Sequence, residues 1–197
     1  MPQTADTNRQ WLLTRNPAPD ESPTADMWKL ESSAVPVPGD KQILLRTLCL
    51  SLDPYMRPRI NAGDTYMPGV RPGEVMVGGT VSRVEVSNHP DYKVGDLVQA
   101  YSGWQDFAVT DGEDIAVKLP AGAKHPSWYL GALGMPGFTA WHALMNIGKP
   151  AKGETFVVAA ATGAVGQIIG QLAKQQGCRV VGIAGGEKKC AYAVDDL

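Results

Sequence analysis

The stretch Thr155–Lys189 reads TFVVAAATGAVGQIIGQLAKQQGCRVVGIAGGEKK, and it decides the fold. Phe156 to Ala160 is a short apolar run with the length and β-branched content of a buried strand. A small-residue turn, Ala161-Thr162-Gly163-Ala164, follows. Val165, Ile168, Ile169, Leu172 and Ala173 then fall at i, i+3, i+4, i+7 and i+8, one face of a helix. Gly177 stands where a helix C-cap glycine belongs, and the run from Arg179 to Ala184 reads as the next strand. Strand, glycine turn, helix and strand make a right-handed βαβ unit. Its first turn, Ala160-x-x-Gly163-x-x-Gly166, is a variant of the dinucleotide fingerprint. Small residues let backbone approach a pyrophosphate, and the helix N-terminus offers it free N–H groups. The alternative is a glycine turn used only for helix–strand packing. The context, after a strand and before an amphipathic helix, favours the ligand reading.

The end of the second strand bears on the cofactor. NAD-type sites place an acid there to bind the ribose 2′-hydroxyl. Here the strand ends Ile183-Ala184-Gly185-Gly186, followed by Glu187, Lys188 and Lys189. Small residues leave room for a 2′-phosphate and a lysine supplies counter-charge, so the pattern predicts NADPH rather than NADH. The lysines also read as a solvated first helical turn. Cations are mildly unfavourable at a helix N-terminus, which tilts the reading towards a phosphate partner.

Upstream the pattern is β-rich. Arg9–Arg15 opens a strand, and Met27–Glu31 alternates like one with a single buried face. Gln42–Leu52 is the most strand-like run of the first half. It carries Leu44, Arg46, Leu48, Leu50 and Leu52 on one face and Ile43, Leu45, Thr47, Cys49 and Ser51 on the other. Val75 to Val84 reads as one bent strand with Gly78-Gly79 at its corner. Shorter strands follow at Leu97–Tyr101, Gln105–Val109 and Ile115–Leu119, joined by Gly/Asp turns. This spacing predicts a small β-barrel or sandwich. A helix is predicted from Pro136 to about Met145, ending near Gly148.

Composition excludes several classes. Charged residues are 19% and the net charge is −2, a balance that suggests neither a nucleic-acid surface nor a disordered chain. No apolar run reaches the ~18 residues of a membrane span, and three cysteines at unrelated spacing read as free thiols of a cytoplasmic protein. His89, His125 and His142 are scattered, and none joins a cysteine at zinc-ligand spacing, so no metal site is expected. His89 reads as a surface residue and His142 as structural. Without a metal to polarise a carbonyl, hydride addition to an activated C=C bond is the less demanding chemistry.

Five blocks now point to one family: LSLDPYMRPRI (50–60), PGEVMVGGTVSRV (72–84), VGDLVQAYSGWQDF (94–107), LGMPGFTAWHAL (133–144) and the glycine-turn stretch (157–189). The chain resembles the medium-chain dehydrogenase/reductase superfamily. Within it, the chain resembles the zinc-free NADPH-dependent 2-alkenal and enone reductases, the leukotriene B4 12-hydroxydehydrogenase/prostaglandin reductase and curcumin reductase group. GEVMVGG stands where zinc-dependent relatives carry a GHE motif. The resemblance implies an α/β chain with a β-rich domain. Residues 1–125 would form a GroES-like β-barrel catalytic domain, 126–150 a helical connector, and 151–197 the first βαβ part of a Rossmann fold, apparently truncated. A truncated chain of this kind is expected to be inactive by itself.

By the same resemblance, Gly163, Ala164, Val165, Gly166 and Gln167 line the pyrophosphate. Gln167 stands where many relatives have serine, and its backbone N–H could serve equally. Gly185 sits near the adenosine and Lys189 at the 2′-phosphate, while Met135 and Thr139 border the nicotinamide. Tyr55 and Tyr66 face the substrate, with the Tyr55 hydroxyl as the general-acid candidate. Tyr55 also reads as a barrel plug whose hydroxyl is bonded locally. Arg57 and Arg59 either attract an acidic substrate group, form a fold-internal ion pair, or are exposed. The implied reaction is metal-free hydride transfer from NADPH, bound between the two domains, to the β-carbon of an α,β-unsaturated ketone or aldehyde, in a homodimer. A quinone reductase of the same superfamily, or a non-catalytic NADPH-binding protein, is the alternative.

Overall fold

The computed structural model describes residues 7–18, 20–63 and 67–197. The chain parts into two compact units between Pro126 and Ser127.

In the first unit, β1 (Thr7–Leu13) and β2 (Trp28–Ala34) form an antiparallel pair. β3 (Ile43–Leu50), β4 (Thr80–Ser87), β5 (Leu97–Ala100), β6 (Phe107–Thr110) and β7 (Ile115–Lys118) form a sheet in the order β6-β3-β4-β5-β7. Alternation in β3 resolves in favour of Ile43 and Leu45, both fully buried with Val84, Val98 and Ala100. The leucine face divides instead. Leu44 is buried, while Leu48, Leu50 and Leu52 are exposed. Register shifts between Leu44 and Leu45 and between Thr47 and Cys49 break the strict period of two,. β2 starts at Trp28 and runs three residues past the predicted end. Its partner β1 supplies that many register positions, which local alternation cannot reveal.

The first strand docks on the larger sheet through a side chain. Asn8, 2% exposed, donates through Nδ2 to the Phe107 carbonyl at 2.9 Å, and its Oδ1 accepts from the Phe107 N–H at 2.8 Å. The asparagine amide thus replaces a missing strand partner and leaves none of these groups unpaired. The expected single strand from Val75 to Val84 is divided. Val75 makes an isolated bridge with Leu12, and β4 begins only at Thr80. Gly78 forms the corner. A Cβ there would meet Leu50 Cδ1 at 2.9 Å, Trp104 Cδ1 at 3.0 Å and Met56 Cε at 3.1 Å. A second apolar cluster, including Leu13, Met27, Met56, Ile60 and Met76, lies beneath this corner with Tyr55 and Trp104 packed against it.

Among the described residues the α-helices are α1 (Met56–Arg59) in the first unit and α2 (Met135–His142), α3 (Ala164–Gln175) and α4 (Glu187–Asp195) in the second, where β8 (Thr155–Ala159) and β9 (Arg179–Ile183) pair in parallel across α3. α2 continues as wider π turns over Ala143–Gly148. The segment read as a connector thus belongs to this unit: Leu144, fully buried, packs with Ala173 and Cys178. Burying a leucine contributes about 2 kcal/mol. The last helix runs from Glu187 to Asp195. Among the described residues no helix is long and apolar enough to cross a membrane.

Candidate cofactor-binding site

The βαβ unit builds its turn from backbone constraints. Ala160 adopts a left-handed φ of 49°, a conformation that costs about 1–2 kcal/mol for a residue with a Cβ. Such strain persists only where the surroundings hold it. Here Ala161 N–H donates to the Ile183 carbonyl at 3.0 Å, and Gly163 N–H donates back to the Ala160 carbonyl at 2.8 Å. Gly163 is the N-cap of α3 and supplies no side-chain cap. The first intrahelical bond from Gln167 N–H reaches the Gly163 carbonyl at 3.0 Å. The N–H groups of Ala164, Val165 and Gly166 therefore lie at the positive end of the helix dipole with no intrahelical acceptor.

Two glycines let this turn close. A Cβ on Gly166 would stand 2.2 Å from the Ala160 carbonyl oxygen and 2.9 Å from Ala161 Cα. A Cβ on Gly182 would stand 2.8 Å from the Ala161 Cβ. The result is a close-packed turn whose helix-start N–H groups have no intrahelical acceptor, with Gly163 and Ala164 exposed and Gly166 buried, a donor set that fits a pyrophosphate. Gly185 is exposed, with nothing within 4 Å of its Cβ position, and Gly186, at φ 84°, caps the last helix. Lys189 is exposed in the first turn of that helix and makes no ion pair among the described residues. Met135 and Thr139 sit one turn apart, both exposed. The Thr139 hydroxyl donates to the Met135 carbonyl at 2.8 Å, which leaves its oxygen free to accept. Gly163, Ala164, Val165, Gly166, Gln167, Gly185, Lys189, Met135 and Thr139 thus share one unit.

Tyr55 belongs to the other unit. The Asp53-Pro54 turn, with Met56 N–H donating to the Asp53 carbonyl at 3.1 Å, lays its half-buried ring on the apolar cluster. The buried hydroxyl has no hydrogen-bond partner among the described residues. Among the described residues the hydroxyl thus makes no full local hydrogen bond of the kind a plain barrel plug would have, although the Gly79 backbone lies near enough to act on it. Burial, then the charge of Asp53, pushes the phenol above its ordinary value; Arg59 and the Gly79 backbone pull weakly the other way,. Tyr55 is thus a neutral donor at neutral pH. Trp104 Nε1 on the same cluster is also buried, with no hydrogen-bond partner among the described residues. The sequence places Trp104 in the turn Ser102-Gly103-Trp104, a position that does not reveal the burial of its indole.

Arg57 donates to the Glu21 carbonyl at 2.8 Å and Arg59 to the Pro68 carbonyl at 2.7 Å. Both arginines hold loops through backbone carbonyls, and the fold-internal ion pair expected as one alternative is not seen among the described residues. Tyr66 lies outside the described residues. His89, expected at the surface, is largely covered, with its ring 5.1 Å from that of Tyr92. Among the described residues no three His, Cys, Asp or Glu side chains come together to hold a metal ion.

Comparison with known proteins adds the following. The family described as "N-terminal domain of oxidoreductase" matches residues 9–117. NADPH-dependent curcumin reductase of Escherichia coli (strain K12) is 54% identical over 197 residues, covering 100% of this chain and 56% of that protein. Prostaglandin reductase 1 of Oryctolagus cuniculus is 41% identical over 178 residues, covering 86% of this chain and 47% of that protein. The crystal structure of CurA in complex with NADPH from Vibrio vulnificus superposes with a TM-score of 0.88 at 52% identity, over 95% of this chain and 55% of that one. The chain spans about half the length of the curated relatives it matches.

Proposed function

The chain belongs to the medium-chain dehydrogenase/reductase superfamily, in its group of curcumin, prostaglandin and 2-alkenal reductases, and from that premise we propose that the whole protein reduces the C=C bond of α,β-unsaturated ketones and aldehydes with NADPH. The observation that carries this reading is the glycine turn: an uncapped helix start against a turn that no Cβ could enter at Gly166. NADPH, when bound, supplies a hydride for the β-carbon. The chain supplies the rest. Ala164, Val165, Gly166 and Gln167 hold the pyrophosphate, with Gly163 giving the approach. Gly185 leaves space for the adenosine, and Lys189 neutralises the 2′-phosphate. Met135 and Thr139 border the nicotinamide. The Tyr55 hydroxyl donates a hydrogen bond to the substrate oxygen as negative charge gathers there, and Tyr66 faces the same substrate. The α-carbon then takes a proton from solvent.

The reaction as proposed needs no metal, because the block GEVMVGG carries no histidine or cysteine where zinc-dependent relatives carry GHE. The free thiols Cys49, Cys178 and Cys190 support a reducing, cytoplasmic setting,. A homodimer is proposed on family membership alone.

The test is NADPH consumption by the purified whole protein with 3-nonen-2-one and, in parallel, with a quinone, before and after dialysis against EDTA. Enone turnover that exceeds quinone turnover and survives the chelator is expected. NADPH binding without turnover of either would leave a non-catalytic nucleotide protein. Replacing Lys189 by Ala should raise the KM for NADPH about tenfold, the scale of one charge-assisted hydrogen bond discounted for exposure. The KM for NADH should stay unchanged. An equal rise for both cofactors would remove Lys189 from the 2′-phosphate.

A further inference from the structure

Tyr192 lies on the last helix, is 40% exposed, and takes no part in the site as derived so far. Its hydroxyl donates to Gln167 Oε1 at 3.3 Å, across to α3. Gln167 is anchored at its backbone as well. Its N–H closes the first bond of α3 on Gly163, and its carbonyl accepts from Gln171 Nε2 at 3.1 Å. A carboxamide has one accepting end and one donating end. With Oε1 taken by Tyr192, the Nε2 amide is the end left over, and it has no partner among the described residues. Gln167 stands one position past the three unbonded N–H groups of the helix start. It lines a cavity of about 400 Å³ between α3 and the last helix, with Ala161, Gly166, Ala184 and Cys190.

We infer that Tyr192 is a positioning residue: by holding Gln167 Oε1, it presents the Gln167 Nε2 amide as an additional donor to the pyrophosphate of the dinucleotide. This rests on the nucleotide reading above and assigns the Gln167 side chain a role beyond that of its backbone. Serine at this position would offer a shorter donor with no need of a partner on the neighbouring helix. Glutamine is long enough to swing, and Tyr192 removes that freedom.

The test uses the whole protein and equilibrium binding of NADPH and NADH to wild type, Tyr192→Phe, Gln167→Ala and the double variant. Tyr192→Phe should weaken both cofactors alike, about three- to tenfold, the cost of ordering one side chain, with kcat at saturation unchanged. In the Gln167→Ala background the same change should have no effect, because the tyrosine acts through the glutamine. Gln167→Glu should weaken binding more than Gln167→Ala, because a carboxylate would still accept from Tyr192 but repel the phosphates. An undiminished Tyr192→Phe effect in the Gln167→Ala background overturns the proposal, as does a loss confined to NADPH. No detectable NADPH binding by wild type would overturn the nucleotide reading as well, which separates the two failures.

Discussion

Tyr55→Phe should lower kcat with an enone about 100-fold while leaving the protein as stable as before, or more so. The two halves of this expectation have separate physical origins. Removing one preorganised donor to a developing oxyanion costs about 10²–10³ in rate. The stability half follows from the unpaired state of the hydroxyl among the described residues. A buried hydroxyl without a partner costs about 1–3 kcal/mol, so deleting it should cost nothing and could return up to ~1 kcal/mol. A hydroxyl bonded within the barrel would give the reverse pattern, with rate retained and about 1 kcal/mol lost. Kinetics and urea unfolding on the same preparations distinguish the two. The raised phenol value adds a pH sign. Folding favours the neutral form, so this contribution to stability is complete below the ordinary tyrosine value of ~10. It fades as pH rises through the higher folded value. Enzymatic rate should likewise hold through neutral pH and fall only in the alkaline range, and that fall should be absent in Tyr55→Phe.

Gly166→Ala should abolish measurable NADPH binding and destabilise the second unit by about 3 kcal/mol, the upper end of the overpacking range. The new Cβ would stand 2.2 Å from the Ala160 carbonyl oxygen and 2.9 Å from the Ala160 carbonyl carbon. Both are backbone atoms, in a turn already held at a left-handed Ala160, and neither can give way as a flexible side chain would. The start of α3 must move, and its N–H groups move with it. Gly170, one turn further along α3, is the control. Its Cβ would meet only Val180 Cγ1 at 3.8 Å, an ordinary contact. Gly170→Ala should therefore gain up to ~1 kcal/mol from helix propensity and leave NADPH binding intact. Calorimetry and cofactor titration of the two variants side by side check the pair. Equal behaviour would mean that glycine in α3 serves only chain flexibility.

Much of this was legible from the sequence because local chemistry determined it. The strand, glycine turn and helix of the βαβ unit, the face Ile169–Leu172–Ala173, and Gly177 at the helix end follow from period and turn residues. The helix after Gly134 follows from Pro136 near its start. What escaped was set by partners distant in the chain. The length of β2 is fixed by β1, and the division of the Val75–Val84 run by contacts of Gly78 with Leu50, Met56 and Trp104. The choice of Ile43 and Leu45 over Leu48 and Leu50 as the buried residues of β3 depends on bulges invisible to alternation. The same holds at the site. The glycines of the turn announce themselves by spacing. The Tyr192–Gln167 bond joins two helices 25 positions apart, and the burial of the Trp104 indole is known only once its surroundings are.

The central claim is hydride transfer to carbon–carbon rather than carbon–oxygen, and labelled NADPH tests it most directly. The whole protein is supplied with deuteride-labelled NADPH and 3-nonen-2-one in ordinary water, and the product is examined by proton and deuterium NMR. The expected product is the saturated ketone with deuterium on the β-carbon and a solvent proton on the α-carbon. An allylic alcohol carrying deuterium on the former carbonyl carbon would contradict the account.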